Sequence, residues 1–136
     1  MRLAVIESAQ ELRLLASSWS KLLESSSTNE ITLTPVWLLN WWRVFGSRDG
    51  RQLRVGALYI GDELVGLAPW LVRRHVYRGR FPFKRIEPLG TGEEQQDEVC
   101  SDYTNVIVRQ GLEEEAGSIL ARGLAGRAFG KWDELV

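Results

Sequence analysis

The chain has 136 residues, 44% hydrophobic and 26% charged, and 17 basic side chains oppose 18 acidic ones for a formal net charge of −1. The apolar content is too high for a disordered chain, and the length fits one domain, residues 1–136, with a real core. Near-neutral charge argues against a globally basic nucleic-acid binder, and a single Cys and a single His exclude disulfide frameworks and multi-Cys or His-rich metal sites, so no metal is expected.

Residues 3–6 read as a short strand, and they are too few before Glu7 to form the core of a signal peptide. Ser8 and Glu11 have the spacing of a capping box, with Ser8 as the N-cap. Leu12, Leu15, Ala16, Trp19, Leu22 and Leu23 follow on one helical face, and the serine run 25–27 ends it. Thr34 and Pro35 start a second helix as N-cap and first helical residue. Its face carries Trp37, Leu38, Trp41, Trp42 and Phe45, and Gly46 is a suitable stop.

Strand chemistry begins at residues 53–60. Gly61-Asp62 is a two-residue hairpin signal, and residues 63–72 return, with Pro69 demanding an edge or a bulge. The longest uncharged apolar run, 64–72, falls well short of the roughly 20 residues of a bilayer span. No transmembrane segment and a cytoplasmic location are therefore expected, and the lone Cys100 fits a reducing compartment. Residues 85–89 and 103–108 are further strand candidates, separated by a polar, acidic loop at 90–102. Leu112, Ala116, Ile119, Leu120 and Leu124 mark a third helix, with Glu113, Glu114 and Glu115 in its first turn, where negative charge suits the helix dipole. Residues 132–136 look like the start of another strand. The expected order is β-α-α-β-β-β-β-α-β, an α/β (α+β) fold with a mixed, mostly antiparallel sheet flanked by helices. A strand that closes the chain suggests the N-terminal part of a longer protein, or a last strand that pairs within the sheet as it stands.

Order and local wording together resemble a known group. The segment LTPVWLLNWWRVFG at 33–46 resembles the "TPEWLLAWW…FG" stretch of CelD-like acetyltransferase domains, which belong to the FemAB-like group of paired GNAT-like halves. The hairpin 53–71 with Gly66 and Pro69, the Glu87-Pro88-Leu89-Gly90 strand end, Ser101-Asp102-Tyr103 and the KWDEL at 131–135 follow in the family's order. The resemblance implies a GNAT-like layered fold forming the N-terminal lobe of an N-acyltransferase. Its donor substrate would be acetyl-CoA or another acyl-CoA, and its acceptor an amine on a small molecule, glycan or peptide, as in polysaccharide or cell-envelope synthesis. A second GNAT-like lobe in the same longer chain is implied as partner. The chain lacks the Arg/Gln-x-x-Gly-x-Gly/Ala loop that holds the donor pyrophosphate in typical GNAT domains, so these residues alone are not expected to form a complete active site.

Candidate site residues follow from chemistry. Asp102 and Tyr103 stand at a loop-to-strand junction, where a carboxylate can act as base for an amine and a phenol as acid for a leaving thiolate. The competing reading is a turn residue and a half-buried strand residue, whose side chains point to opposite faces. Trp37, Trp41 and Trp42 offer an aromatic wall for the acceptor, against the commoner role of helix core. Arg73, Arg74 and Arg78 belong to a cationic stretch, 73–85, that also holds Arg80, Lys84 and Arg85, contains no acid and interleaves Tyr77, Phe81 and Phe83. It could meet phosphates of CoA, RNA or anionic lipid, or be a solvated hairpin end that discourages edge pairing and that the acidic stretch Glu93, Glu94, Asp97, Glu98 and Asp102 neutralises. Gly90-Thr91-Gly92 is a poor phosphate cradle because Glu93 and Glu94 follow it. A cysteine hydrolase built on His75 and Cys100 lacks a third orienting group. Two alternatives to the acyltransferase remain: a non-catalytic, degenerate GNAT-fold interaction module, and an anion- or nucleic-acid-binding domain acting through residues 73–85.

Overall fold

The helix starts are set locally, as the caps require. In the computed structural model, which describes residues 1–46, 48–91 and 105–136, Ser8 Oγ accepts from Glu11 N at 3.1 Å. The single helix expected from the apolar face is two, α1 (Ala9–Leu14) and α2 (Ala16–Glu24). At Leu15 the amide bonds Leu12 O in a tighter turn, and Leu12 and Trp19 on either side of it are both fully buried. The Trp19 indole N–H donates to Leu33 O at 2.8 Å, which ties α2 to a single 3₁₀ turn (Ile31–Leu33). In α3 (Pro35–Phe45) Thr34 Oγ1 accepts from Trp37 N at 3.3 Å, and Pro35 occupies the first turn.

Gly46 does stop α3, but not through left-handed backbone, because its φ is −62°. Its reason is space: a Cβ there would lie 2.3 Å from the Trp42 ring. Gly46→Ala should therefore lower stability by about 1–3 kcal/mol, as overpacking does. A fall in the urea midpoint at unchanged slope would register it.

The strands are β1 (Arg2–Ile6), β2 (Gln52–Leu53), β3 (Val55–Ile60), β4 (Glu63–Ala68), β5 (Trp70–Tyr77), β6 (Phe81–Pro88), β7 (Ile107–Val108) and β8 (Glu134–Leu135), with α4 (Glu113–Ala125) between the last two. They form two four-stranded sheets, β1-β3-β4-β7 and β2-β5-β6-β8. Every pairing is antiparallel except β6 with β8. The mixed α/β class and mostly antiparallel pairing are those expected from the sequence. Two strands expected to be continuous are broken, 53–60 at Arg54 and 63–72 at Pro69. The hairpin stays closed across the break, since Arg54 N donates to Trp70 O at 2.9 Å and Leu89 N to Pro69 O at 2.7 Å. Pro69, which has no N–H to give, is thus the point where the chain passes from one sheet to the other. The strand expected at 85–89 starts earlier, at Phe81, because the β5 run returns directly through a turn. Of the strand expected at 103–108, residues 107–108 are strand and 103–104 lie outside the described residues; so does the expected acidic loop beyond Thr91.

Helices α1–α3 cover one face of the first sheet and α4 the other. Leu12, Trp19, Leu22, Leu38 and Trp41 pack with Ala57, Leu67 and Leu71 in one core. Leu58, Val65, Ala116, Leu120 and Phe129 form the second. A register shift between Leu58 and Tyr59 gives β4 one extra residue, so Val65 and Ala68 both reach the second core. Among the described residues no helix is long and apolar enough to cross a membrane.

Candidate functional site

The long strands β5 and β6 pair from Trp70↔Pro88 to Tyr77↔Phe81. Strand β2 reaches only Leu71 and Val72, and β8 only Arg85 and Ile86. Past those contacts the pair is a two-stranded ribbon. Directly opposed residues share a face, so Arg73↔Arg85 and His75↔Phe83 lie on the face of Leu71↔Glu87, while Arg74↔Lys84 lies on the other.

Glu87 is 3% exposed and still carries a carboxyl group. Burying a charge is tolerable only with partners, and the strand alternation brings three. Arg73 Nη2 donates to Glu87 Oε1 at 3.1 Å, His75 Nε2 lies 2.7 Å from the same oxygen, and Arg85 Nη1 lies 3.8 Å away. Arg73 Nε also lies 3.1 Å from His75 Nε2. A guanidinium N–H can only donate, and one ring nitrogen cannot accept from Arg73 and donate to Glu87 at once. The charge-assisted bond to the carboxylate is the stronger, so Nε2 carries the proton and donates to Glu87, and the Arg73 Nε contact is proximity alone. In the neutral ring the lone pair then sits on Nδ1, which has no partner among the described residues. Phe83 stacks on the ring at 5.5 Å between centroids, and the Arg85 guanidinium sits over Phe83 at 5.5 Å. The His75 side chain is 21% exposed, so water and a small solute reach it. The buried carboxylate and the stacked Phe83 ring together fix the orientation of the imidazole. Glu87 Oε2 is also buried and has no hydrogen-bond partner among the described residues.

A second concavity lies on α3. Val36, Trp37, Asn40, Trp41, Val44 and Phe45 surround a cavity of about 350 Å³. Trp41 is only 4% exposed and packs on Phe45 at 5.4 Å between centroids, while Trp37 and Trp42 are half-buried. The Arg51 guanidinium lies over Trp41 and donates to Phe45 O at 3.1 Å. The wall is almost wholly apolar, because the Asn40 amide is turned back onto Val36 O at 2.7 Å.

The residues expected to act together are distributed as follows. Arg73 is held within the Glu87 cluster, Arg74 is exposed on the opposite face of the ribbon, and Arg78 is exposed in its turn. The three tryptophans stay on α3 and share no lining residue with the ribbon cluster. Asp102, Tyr103 and Cys100 lie outside the described residues, as does Gly92 of the glycine pair. Thr91 Oγ1 donates to Pro88 O at 2.8 Å. Among the described residues no group of His, Cys, Asp and Glu could hold a metal ion. Sequence reading missed Glu87 and the role it gives His75. The signal was the same-face spacing of Arg73 with His75 and of Arg85 with Glu87, on either side of a turn at Arg78-Gly79. The chain matches no protein-family model, no curated protein and no solved structure.

Proposed function

We propose that this chain is the N-terminal lobe of a GNAT-type N-acyltransferase of the CelD-like, FemAB-like kind, moving an acyl group from acyl-CoA to an amine. The observation that carries the reading is the order of elements along the first sheet. An N-terminal strand is followed by helices, an antiparallel hairpin beside it, a further antiparallel strand and then a helix on the opposite face. The quoted family stretches fall in sequence on α3 at 33–46, on the hairpin and its continuation into the second sheet at 53–71, and on β8 of the second sheet at 131–135.

The ribbon cluster supplies the chemistry. The acceptor amine attacks the thioester carbonyl; a C–N bond forms, the C–S bond breaks, and the thiolate leaves. The amine proton passes to His75 Nδ1, with Glu87 holding the imidazolium that results. The thiolate takes up a proton, a role that the same reading gives to Tyr103. Asp102 is the competing base. The α3 groove, lined by Trp37 and Trp41, is a separate apolar concavity that shares no residue with this cluster.

The test measures thiol release from acetyl-CoA with a panel of amines, on the chain joined to its second lobe. His75→Ala should lower the rate about 100-fold or more, in the range expected for loss of a general base. A full rate in His75→Ala with loss in Asp102→Asn would move the base to Asp102. Acetyl-CoA that raises the melting temperature of neither form would leave the non-catalytic module as the reading.

A further inference from the structure

We infer that the tip of the β5–β6 ribbon is a docking surface for an anionic phospholipid bilayer, an inference that does not depend on the acyltransferase reading. The ribbon projects about 15 Å past the last contacts of β2 and β8, by strand rise. Its end is apolar and open to solvent, with Val76 56%, Tyr77 55% and Phe81 63% exposed. Cross-strand register puts Tyr77 beside Phe81 on one face and Val76 beside Pro82 on the other. The last two rungs are therefore apolar on both faces, and the turn beyond them carries the exposed Arg78 and Arg80.

The cations divide in a telling way. Arg73 and Arg85 are paired with Glu87 and Glu134. The side chains of Arg74, Arg78, Arg80 and Lys84 have no carboxylate partner among the described residues, while the Lys84 amide donates to Asp133 Oδ2 at 2.7 Å. Arg74 and Lys84 even stand directly opposite each other, a like-charge pair that costs the ribbon stability. The turn adds strain: Arg80 N bonds Tyr77 O at 3.1 Å, with Arg78 at φ 50°, where a β-carbon is disfavoured. Four cations with no carboxylate on their side chains among the described residues, around an exposed apolar end, have a natural complement in lipid phosphates with an apolar layer beneath them.

Single-stranded nucleic acid fits less well. It would lie along the aromatic face of Tyr77, Phe81 and Phe83, whose cations Arg73 and Arg85 are already engaged by carboxylates. The unpaired Arg74 and Lys84, with Val76 and Pro82, are on the far face, out of reach of a strand stacked there. A headgroup layer surrounds the tip and meets both faces.

The experiment is co-sedimentation of the chain with vesicles of phosphatidylcholine alone, and with about 30% phosphatidylserine. Binding is expected to the anionic vesicles only, and to weaken with salt. Arg74→Gln with Lys84→Gln should weaken it about 25-fold, at roughly fivefold per cation. That double variant relieves the like-charge pair, so its melting temperature should not fall, and loss of binding cannot be assigned to unfolding. Phe81→Ser should weaken binding at unchanged salt dependence. Equal binding to neutral vesicles, no binding at low salt, or tighter binding to an oligouridylate in fluorescence anisotropy would each overturn the inference.

Discussion

Glu87→Ala is expected to lower the stability of the fold by about 3 kcal/mol, near the low end for breaking a buried ion pair. The carboxylate is 4% exposed, and its removal leaves the Arg73 guanidinium facing Arg85 and His75 with no anion between them. Arg73 and Arg85 keep 14% and 29% exposure, so water screens part of the repulsion and the upper end of the range is not reached. In a domain of this length the loss corresponds to a fall of roughly 10 °C in melting temperature. Glu87→Gln should cost less, because the amide oxygen still accepts from Arg73. It should not be neutral, since the uncharged amide no longer balances the Arg73 and Arg85 guanidinium groups. Calorimetry on both variants checks the ranking. Equal stability of wild type and Glu87→Ala would mean that the cluster contributes nothing to folding.

Trp19→Ala is expected to cost about 4 kcal/mol, within the range for emptying a large aromatic site. The residue is fully buried between α2 and the first sheet, and its indole N–H is the bond that fixes the Ile31–Leu33 turn ahead of α3. Trp19→Phe separates the two contributions. It keeps most of the apolar contact and leaves Leu33 O without its donor, for a cost nearer 1–2 kcal/mol. Urea unfolding of the pair gives both values. Similar losses in the two variants would place the weight on the hydrogen bond instead of on packing.

How far the sequence was readable follows the range over which each interaction acts. The caps at Ser8 and Thr34 were readable, because cap and amide are three residues apart. The hairpin at Gly61-Asp62 was readable for the same reason, with Gly61 at φ 60°. Pro69 announced an irregularity, but whether it is an edge, a bulge or a passage between sheets depends on which strands arrive beside it, and β6 and β7 come from residues well downstream. The break at Leu15 was hidden because the apolar spacing runs through it unbroken. The His75–Glu87 pair spans 12 residues and two strands, and it emerges only once the ribbon's register is known. Glu87 looked like an ordinary strand-end residue; its burial comes from neighbours that its own segment does not specify.

The central hairpin presents alternate residues to two cores, with Ala57 and Leu67 on one side and Leu58 and Val65 on the other. Apart from its turn end, Ile60 to Glu63, its residues are almost all buried. The outer ribbon, residues 74–84, supplies no side chain to either core. Substitutions within 74–84 therefore leave both cores packed, apart from His75, whose contact with Glu87 ties the ribbon to the rest of the fold.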